Sequence, residues 1–184
     1  MNIFLKRIVI LLFIIAAAFF AYSHFENDIF SKRLSPKDTV QFKLNDLKLD
    51  VFYNRPSKKD REVFGALVPY NEVWRTGANE ATTFKTNTLL KIGNDSLPAG
   101  KYTLWTIPNP KEWHVIFNKK QYKWGVDLEM NASREPEFDA LDIIVPVEKL
   151  KNTVEQFTIA FDNSTDNLSL TMAWDDVKIT VPLK

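Results

Sequence analysis

The residues best equipped for chemistry crowd between positions 53 and 82. There the chain reads Tyr53-Asn54-Arg55-Pro56, then Arg61, then Leu67-Val68-Pro69-Tyr70, then Trp74-Arg75-Thr76-Gly77-Ala78-Asn79-Glu80-Ala81-Thr82. Trp74, Arg75, Asn79 and Glu80 offer a stacking surface, a guanidinium fork and an amide–carboxylate pair, which together suit a sugar or a carboxylate ligand. A purely structural reading stands beside this one. It makes Arg75 and Glu80 an ion pair organising a tight loop, with Gly77 and Asn79 supplying unusual backbone angles. A third reading takes Glu72 or Glu80 as the acid or base of a glycosidase-like hydrolase, since two carboxylates near an aromatic platform suit glycoside cleavage.

Elsewhere the signals are thinner. His114 lies between Trp113 and Val115 and points to the opposite face; no Gly-x-Ser-x-Gly turn and no second nearby histidine accompany it, so a surface or packed role is expected. Asp162-Asn163-Ser164-Thr165-Asp166-Asn167 alternates oxygen side chains like part of a calcium loop. It lacks the central glycine and closing glutamate, and reads as a polar turn between strands. No phosphate-cradling glycine loop or dinucleotide fingerprint occurs, and neither a metal nor a cofactor is expected.

The elements that must position these residues are strands. Val40, Phe42 and Leu44 alternate with polar residues, and Leu47, Leu49, Val51 and Tyr53 repeat the pattern after Asn45-Asp46, which predicts a strand pair. Pro56 ends the second strand, and 57–64 reads as one helical turn capped by Ser57 and closed at Gly65. Further strands are expected at 82–86, 89–93, 101–107 and 113–118, separated by Asn, Asp, Pro and Gly. After an exposed loop at 128–139 come strands at 141–147, 154–162, 168–175 and 177–183. Eight to ten short strands without helical crossovers predict an all-β fold, an antiparallel sandwich or jelly roll.

Residues 8–23 are uncharged and rich in Ile, Leu, Phe and Ala, preceded by Lys6-Arg7. The basic pair favours a cytoplasmic N-terminus, with everything after Ser23 translocated. Sixteen uncharged residues fall between a spanning helix and a cleavable core, but Ile3, Phe4 and Leu5 extend the run while Lys6 and Arg7 snorkel. The adopted reading is an uncleaved anchor at 1–23 contacting membrane through residues 3–23, a spacer at 24–38 and a β-sandwich domain at 39–184. Cleavage after Ser23 would make the domain periplasmic or secreted instead.

Composition excludes several classes. Hydrophobic residues form 45% and charged residues 26% of 184, an ordinary globular balance. Beyond Lys6 and Arg7 the chain carries 22 basic against 23 acidic residues, so no basic field for nucleic acid exists. There is no cysteine, which removes disulfides, thiolate metal sites and thiol catalysis.

Taken together, Tyr53-Asn54-Arg55-Pro56, Gly65-Ala66-Leu67-Val68-Pro69-Tyr70, 73–82 with its Trp-Arg-Thr-Gly-Ala-Asn core, Leu97-Pro98-Ala99-Gly100-Lys101-Tyr102 and 112–118 resemble the family termed domain of unknown function 2911, from about Ser35 to Lys184. The resemblance implies exported bacterial proteins with an all-β domain and no assigned activity. Arg55, Trp74, Arg75, Asn79 and Glu80 are the positions that match its motifs, while His114 stands where the family pattern carries a Thr-like residue. The functional expectation is a binding or structural module of the cell envelope, taking a small molecule, a glycan or an envelope protein; the alternative is the hydrolase above.

Overall fold

The computed structural model describes residues 2–22, 33–164 and 167–184, in two compact units divided after Leu34. The first unit contains one helix, α1 (Ile3–Tyr22), every residue of which is exposed. Its twenty residues rise about 30 Å at 1.5 Å each, the thickness of a bilayer's hydrocarbon core. Lys6 and Arg7 lie within the helix, so the apolar run extends back past them to Ile3. Ser23 and residues 24–32 of the expected spacer lie outside the described residues.

The second unit is antiparallel β throughout its named strands. These are β1 (Lys37–Leu44), β2 (Leu47–Asn54), β3 (Thr83–Thr86), β4 (Leu90–Ile92), β5 (Asp95–Leu97), β6 (Gly100–Pro108), β7 (Glu112–Asn118), β8 (Asp139–Asp162) and β9 (Ser169–Pro182). Seven of them form one sheet in the order β1-β2-β3-β6-β7-β8-β9, and β4-β5 is a separate hairpin. The all-β antiparallel class and the leading apolar helix agree with the sequence reading, and the two facing layers belong to a single curled sheet.

The curl is built into β8. Its first third pairs with β7 through Pro146, and the remainder pairs with β9 from Val147 onward, with irregular register between Lys149 and Thr158. Such bulges bend a strand and raise its twist, so a 24-residue strand can serve both layers. The bend brings the far half of β8 back to the end of β2. Phe157 N donates to Pro56 O at 2.9 Å, Lys58 N to Glu155 O at 2.8 Å, and Ser57 bridges Gln156. Segment 57–64 is therefore no helical turn: the Ser57 capping signal is overridden by its pairing with β8. Likewise the strands expected at 141–147 and 154–162 are both parts of β8, and those at 168–175 and 177–183 are both parts of β9, which continues through Asp175 at a φ of 56°.

Alternation sets the core. Leu49, Val51, Tyr53, Phe84, Leu104, Val115 and Phe117 face inward from one layer, meeting Phe157, Ile159, Leu170, Met172, Trp174 and Ile179 from the other. Across the gap Tyr53 meets Phe157 edge-on at 5.8 Å, and Phe42 meets Phe161 at 5.8 Å. Buried apolar area of this kind is the main stabilising term. Three buried apolar residues do not belong to this core: Ala81, Trp105 and Ile116. They mark a second, smaller burial on the opposite face of the sheet.

Candidate functional site

Trp74 fixes the geometry of the motif-bearing loop. Its N–H donates to Thr106 O at 2.7 Å and its carbonyl accepts from Thr106 N at 3.0 Å, so it adds one bridge to the edge of β6 beyond the end of β3. The indole enters the core, stacked on Trp174 at 5.9 Å and edge-on to Phe157 at 5.0 Å, Trp113 at 6.1 Å and Phe64 at 6.2 Å. Its Nε1 donates to Gly77 O at 3.1 Å. Trp74 is a packing residue that pins the loop, and its ring is already covered by four aromatic neighbours.

The loop itself is tight for backbone reasons. Thr76 and Asn79 take φ values of 54° and 56°, and Gly77 takes 149°. A Cβ on Gly77 would sit 2.9 Å from Asn54 O, so both its angle and its close approach require glycine. Thr82 Oγ1 donates to Thr76 O at 2.8 Å, and the Thr76 and Thr106 hydroxyls meet at 3.2 Å, closing the loop onto β6.

The remaining motif residues separate. Glu80 pairs with Lys37 at 2.9 Å and not with Arg75, which corrects the ion pair expected within the loop. Lys37 is 43 residues away in sequence but comes alongside because β1 begins there. Asn79 Nδ2 donates to Ser35 O at 3.5 Å. Arg55 is a staple: Nε donates to Phe157 O at 3.2 Å, Nη2 to Thr158 Oγ1 at 2.9 Å, and Nη1 pairs with Asp38 at 3.3 Å. It joins β1, the end of β2 and the returning half of β8. Glu72 is exposed while Glu80 is held by Lys37, so the two carboxylates do not form an acid–base couple.

Arg75 is the exception. Since Trp74 points into the core, alternation sends Arg75 to the opposite face, next to Trp105. Its aliphatic stem lies against Gly125, where an added Cβ would come within 2.5 Å of Arg75 Cβ and 2.9 Å of its Cδ. Its Nη1 is buried without a hydrogen-bond partner among the described residues. Burial pushes the guanidinium below its usual range, yet arginine stays cationic at neutral pH.

Arg75 has company on that face. Asn54 follows the core-facing Tyr53 and so takes the same off-core face as Trp105, and its backbone lies against Gly77 of the motif-bearing loop. The β6–β7 and β7–β8 ladders then add Ile116 and Asp142. Asn54 and Trp105 are both 0% exposed, and neither the Asn54 amide atoms nor Trp105 Nε1 has a partner. Buried polar atoms are almost always paired, so three orphaned side chains on one face are an anomaly that asks for an occupant. At the rim His114 Nδ1 meets both carboxylate oxygens of Asp142, at 3.0 and 3.2 Å, in keeping with the expected surface role.

An irregular segment, 119–138, lies over Trp105 and the Arg75 stem. Tyr122 packs edge-on to Trp105 at 5.3 Å. The segment is held by Lys119 N to Phe138 O at 2.8 Å, by Asn118 Nδ2 to Glu135 O at 2.9 Å, by Glu135 N to Tyr122 Oη at 3.1 Å, and by the Lys120–Glu135 and Arg134–Asp139 ion pairs. The exposed loop expected at 128–139 is part of it, with Leu128 and Met130 at its tip and a short 3-10 turn at Pro136–Phe138. Sequence reasoning singled out Arg75 but missed Asn54 and Trp105. The available signal was their place on the off-core side of well-alternating strands, where a buried tryptophan is unexpected.

Among the described residues no group of three His, Asp or Glu side chains converges as a metal site. In the calcium-like stretch Asp162 Oδ1 accepts from Ser164 N at 2.9 Å, the geometry of a turn, while Thr165 and Asp166 lie outside the described residues. Residues 35–183 match a family described as "Protein of unknown function (DUF2911)". Neither a curated protein nor a solved structure matches the chain significantly.

Proposed function

Because the chain belongs to the family described as protein of unknown function DUF2911, whose description carries no activity, we propose a role from its own residues: a membrane-tethered binding module whose β domain takes a small ligand beside Arg75. The observation that carries this reading is the guanidinium nitrogen buried under segment 119–138 without a partner. A desolvated, unpaired guanidinium nitrogen is unfavourable in the empty protein and becomes favourable when an anionic or acceptor-bearing ligand arrives. The placement of Glu72 and Glu80 lends no support to the hydrolase alternative.

The tether is part of the proposal. The 20-residue apolar helix with Lys6-Arg7 near its start supports an uncleaved anchor with the domain on the extracytoplasmic side. Because the chain has no cysteine, a single Lys43→Cys on exposed β1 can be probed with a membrane-impermeant maleimide on intact cells. Labelling without permeabilisation is expected, and protection until lysis overturns the orientation. N-terminal sequencing tests anchoring, a start at His24 being the result against it.

Binding is tested on the full chain in detergent micelles by thermal melting and tryptophan fluorescence against small carboxylates, phosphate and neutral sugars. A ligand that raises the melting temperature of the native chain but not of Arg75→Met supports the reading. Equal responses in both proteins, or none in either, count against it.

A further inference from the structure

We infer that the ligand at this site is a small monocarboxylate that also carries an uncharged hydrogen-bond donor. The inference rests on the binding role just proposed for Arg75 and narrows it to one chemical class.

The first argument is the donor inventory. Arg75 Nη1 and Trp105 Nε1 are both buried and unpaired, and neither an indole nor a guanidinium can accept a hydrogen bond. Only acceptor atoms satisfy them, and a carboxylate presents two oxygens to two separate donors. Asn54 differs in kind. Its amide leaves one donor nitrogen and one acceptor oxygen open, so the ligand portion reaching it needs a hydroxyl or an amide N–H.

Charge narrows the class further. Arg75 is the cation placed beside Trp105, while Lys120 and Arg134 of the covering segment are engaged by Glu135 and Asp139. One guanidinium balances one negative charge. A phosphate near −2 would leave an excess charge buried, and an ammonium group on the ligand would face Arg75 unfavourably.

Ile116 and the Trp105 ring, both buried, supply apolar surface beside these donors, which suits a short carbon body.

The test uses the full chain in micelles with lactate, N-acetylglycine, acetate, phosphate, sulfate and glucose, read by calorimetry and by the indole N–H resonances in ¹⁵N spectra. The Trp105 signal is assigned through Trp105→Phe, which keeps the ring and removes the donor. Lactate or N-acetylglycine is expected to shift that resonance and to bind more tightly than acetate. Affinity should fall about tenfold in Trp105→Phe, the worth of one buried hydrogen bond, and vanish in Arg75→Met. Arg75-dependent binding of phosphate, sulfate or glucose without carboxylate binding overturns the class while leaving the binding role standing. Carboxylate binding that neither substitution weakens places it elsewhere and overturns the inference. If no probe binds and both variants merely melt higher, the orphaned atoms mark a hydrated pocket, and both the class and the binding role fall.

Discussion

Replacing Arg75 by methionine should stabilise the ligand-free protein. Methionine keeps an unbranched stem to lie against Gly125, where the arginine carbons now pack, and removes the buried Nη1 that has no partner. An unpaired buried polar group costs about 1–3 kcal/mol. Only part of the guanidinium is buried and its exposed face loses good hydration, so the lower end applies, about 1 kcal/mol. For a domain of this size that corresponds to a rise in Tm of about 2–4 °C. Differential scanning of native and variant chains in the same detergent, without added anions, reads the shift directly. A fall of several degrees would mean that the guanidinium has a structural partner, and the reasoning from its orphaned nitrogen would be refuted. Such a gain at the expense of binding is the usual signature of a site held in a strained state for function.

Four further outcomes follow from the same contacts. Gly125→Ala should lower stability by about 1–3 kcal/mol in chemical denaturation, because its methyl would come within 2.5 Å of Arg75 Cβ; the double variant with Arg75→Ala, which keeps that Cβ, should recover little of the loss, and recovery of most of it would show that the outer stem makes the clash. Arg55→Ala should cost about 2–3 kcal/mol by the same measurement, since it leaves Phe157 O and Thr158 Oγ1 without their side-chain donor and removes the ion pair to Asp38; a loss under about 0.5 kcal/mol would show that the staple is idle. Burial raises the Tyr53 phenol above its usual 10.0, so the fold holds the neutral form: its contribution is complete below pH 10 and disappears as pH climbs through the folded-state value. Burial raises Tyr102 and Tyr122 as well, so absorbance at 295 nm should show a late-titrating group of tyrosines that Tyr53→Phe reduces by one, with a shallower alkaline decline in stability. Phe157→Ala, which empties space between Tyr53, Trp74 and Trp174, should cost about 3–5 kcal/mol, measured by urea midpoint against the milder Phe157→Leu.

Much of the fold was legible because period-two alternation is local. Val40, Phe42 and Leu44, then Phe157, Ile159 and Phe161, declare their faces within a few residues. What failed depends on partners far away in sequence. Ser57 carries a helix-capping signal, but Gln156 recruits its backbone. The Asp175-Asp176 pair reads as the end of a strand, whereas Lys58 pairs with Asp175 and the strand continues through it. Glu80 lies five residues from Arg75, yet Lys37 takes it. The candidate site shows the same division. Arg75 announces its chemistry by type, while Asn54 and Trp105 become significant only because folding buries their polar atoms without partners on the face that Arg75 shares, which alternation within a single strand cannot reveal.

The long reach of β8 has a consequence in time. The groups that close the fold come from opposite ends of the domain: Ile159 N meets the Tyr53 hydroxyl across 106 residues, and Arg55 reaches Phe157 across 102. A chain that emerges N-terminus first, from a ribosome or through a membrane pore, delivers β1 and β2 long before the strand that covers their apolar faces. Those faces must wait, wet and adhesive, until nearly all of β8 has followed. Maturation should therefore be slow and late, and a nascent chain stalled before residue 155 should be held by chaperones or degraded, while one released after β9 closes in a single cooperative step.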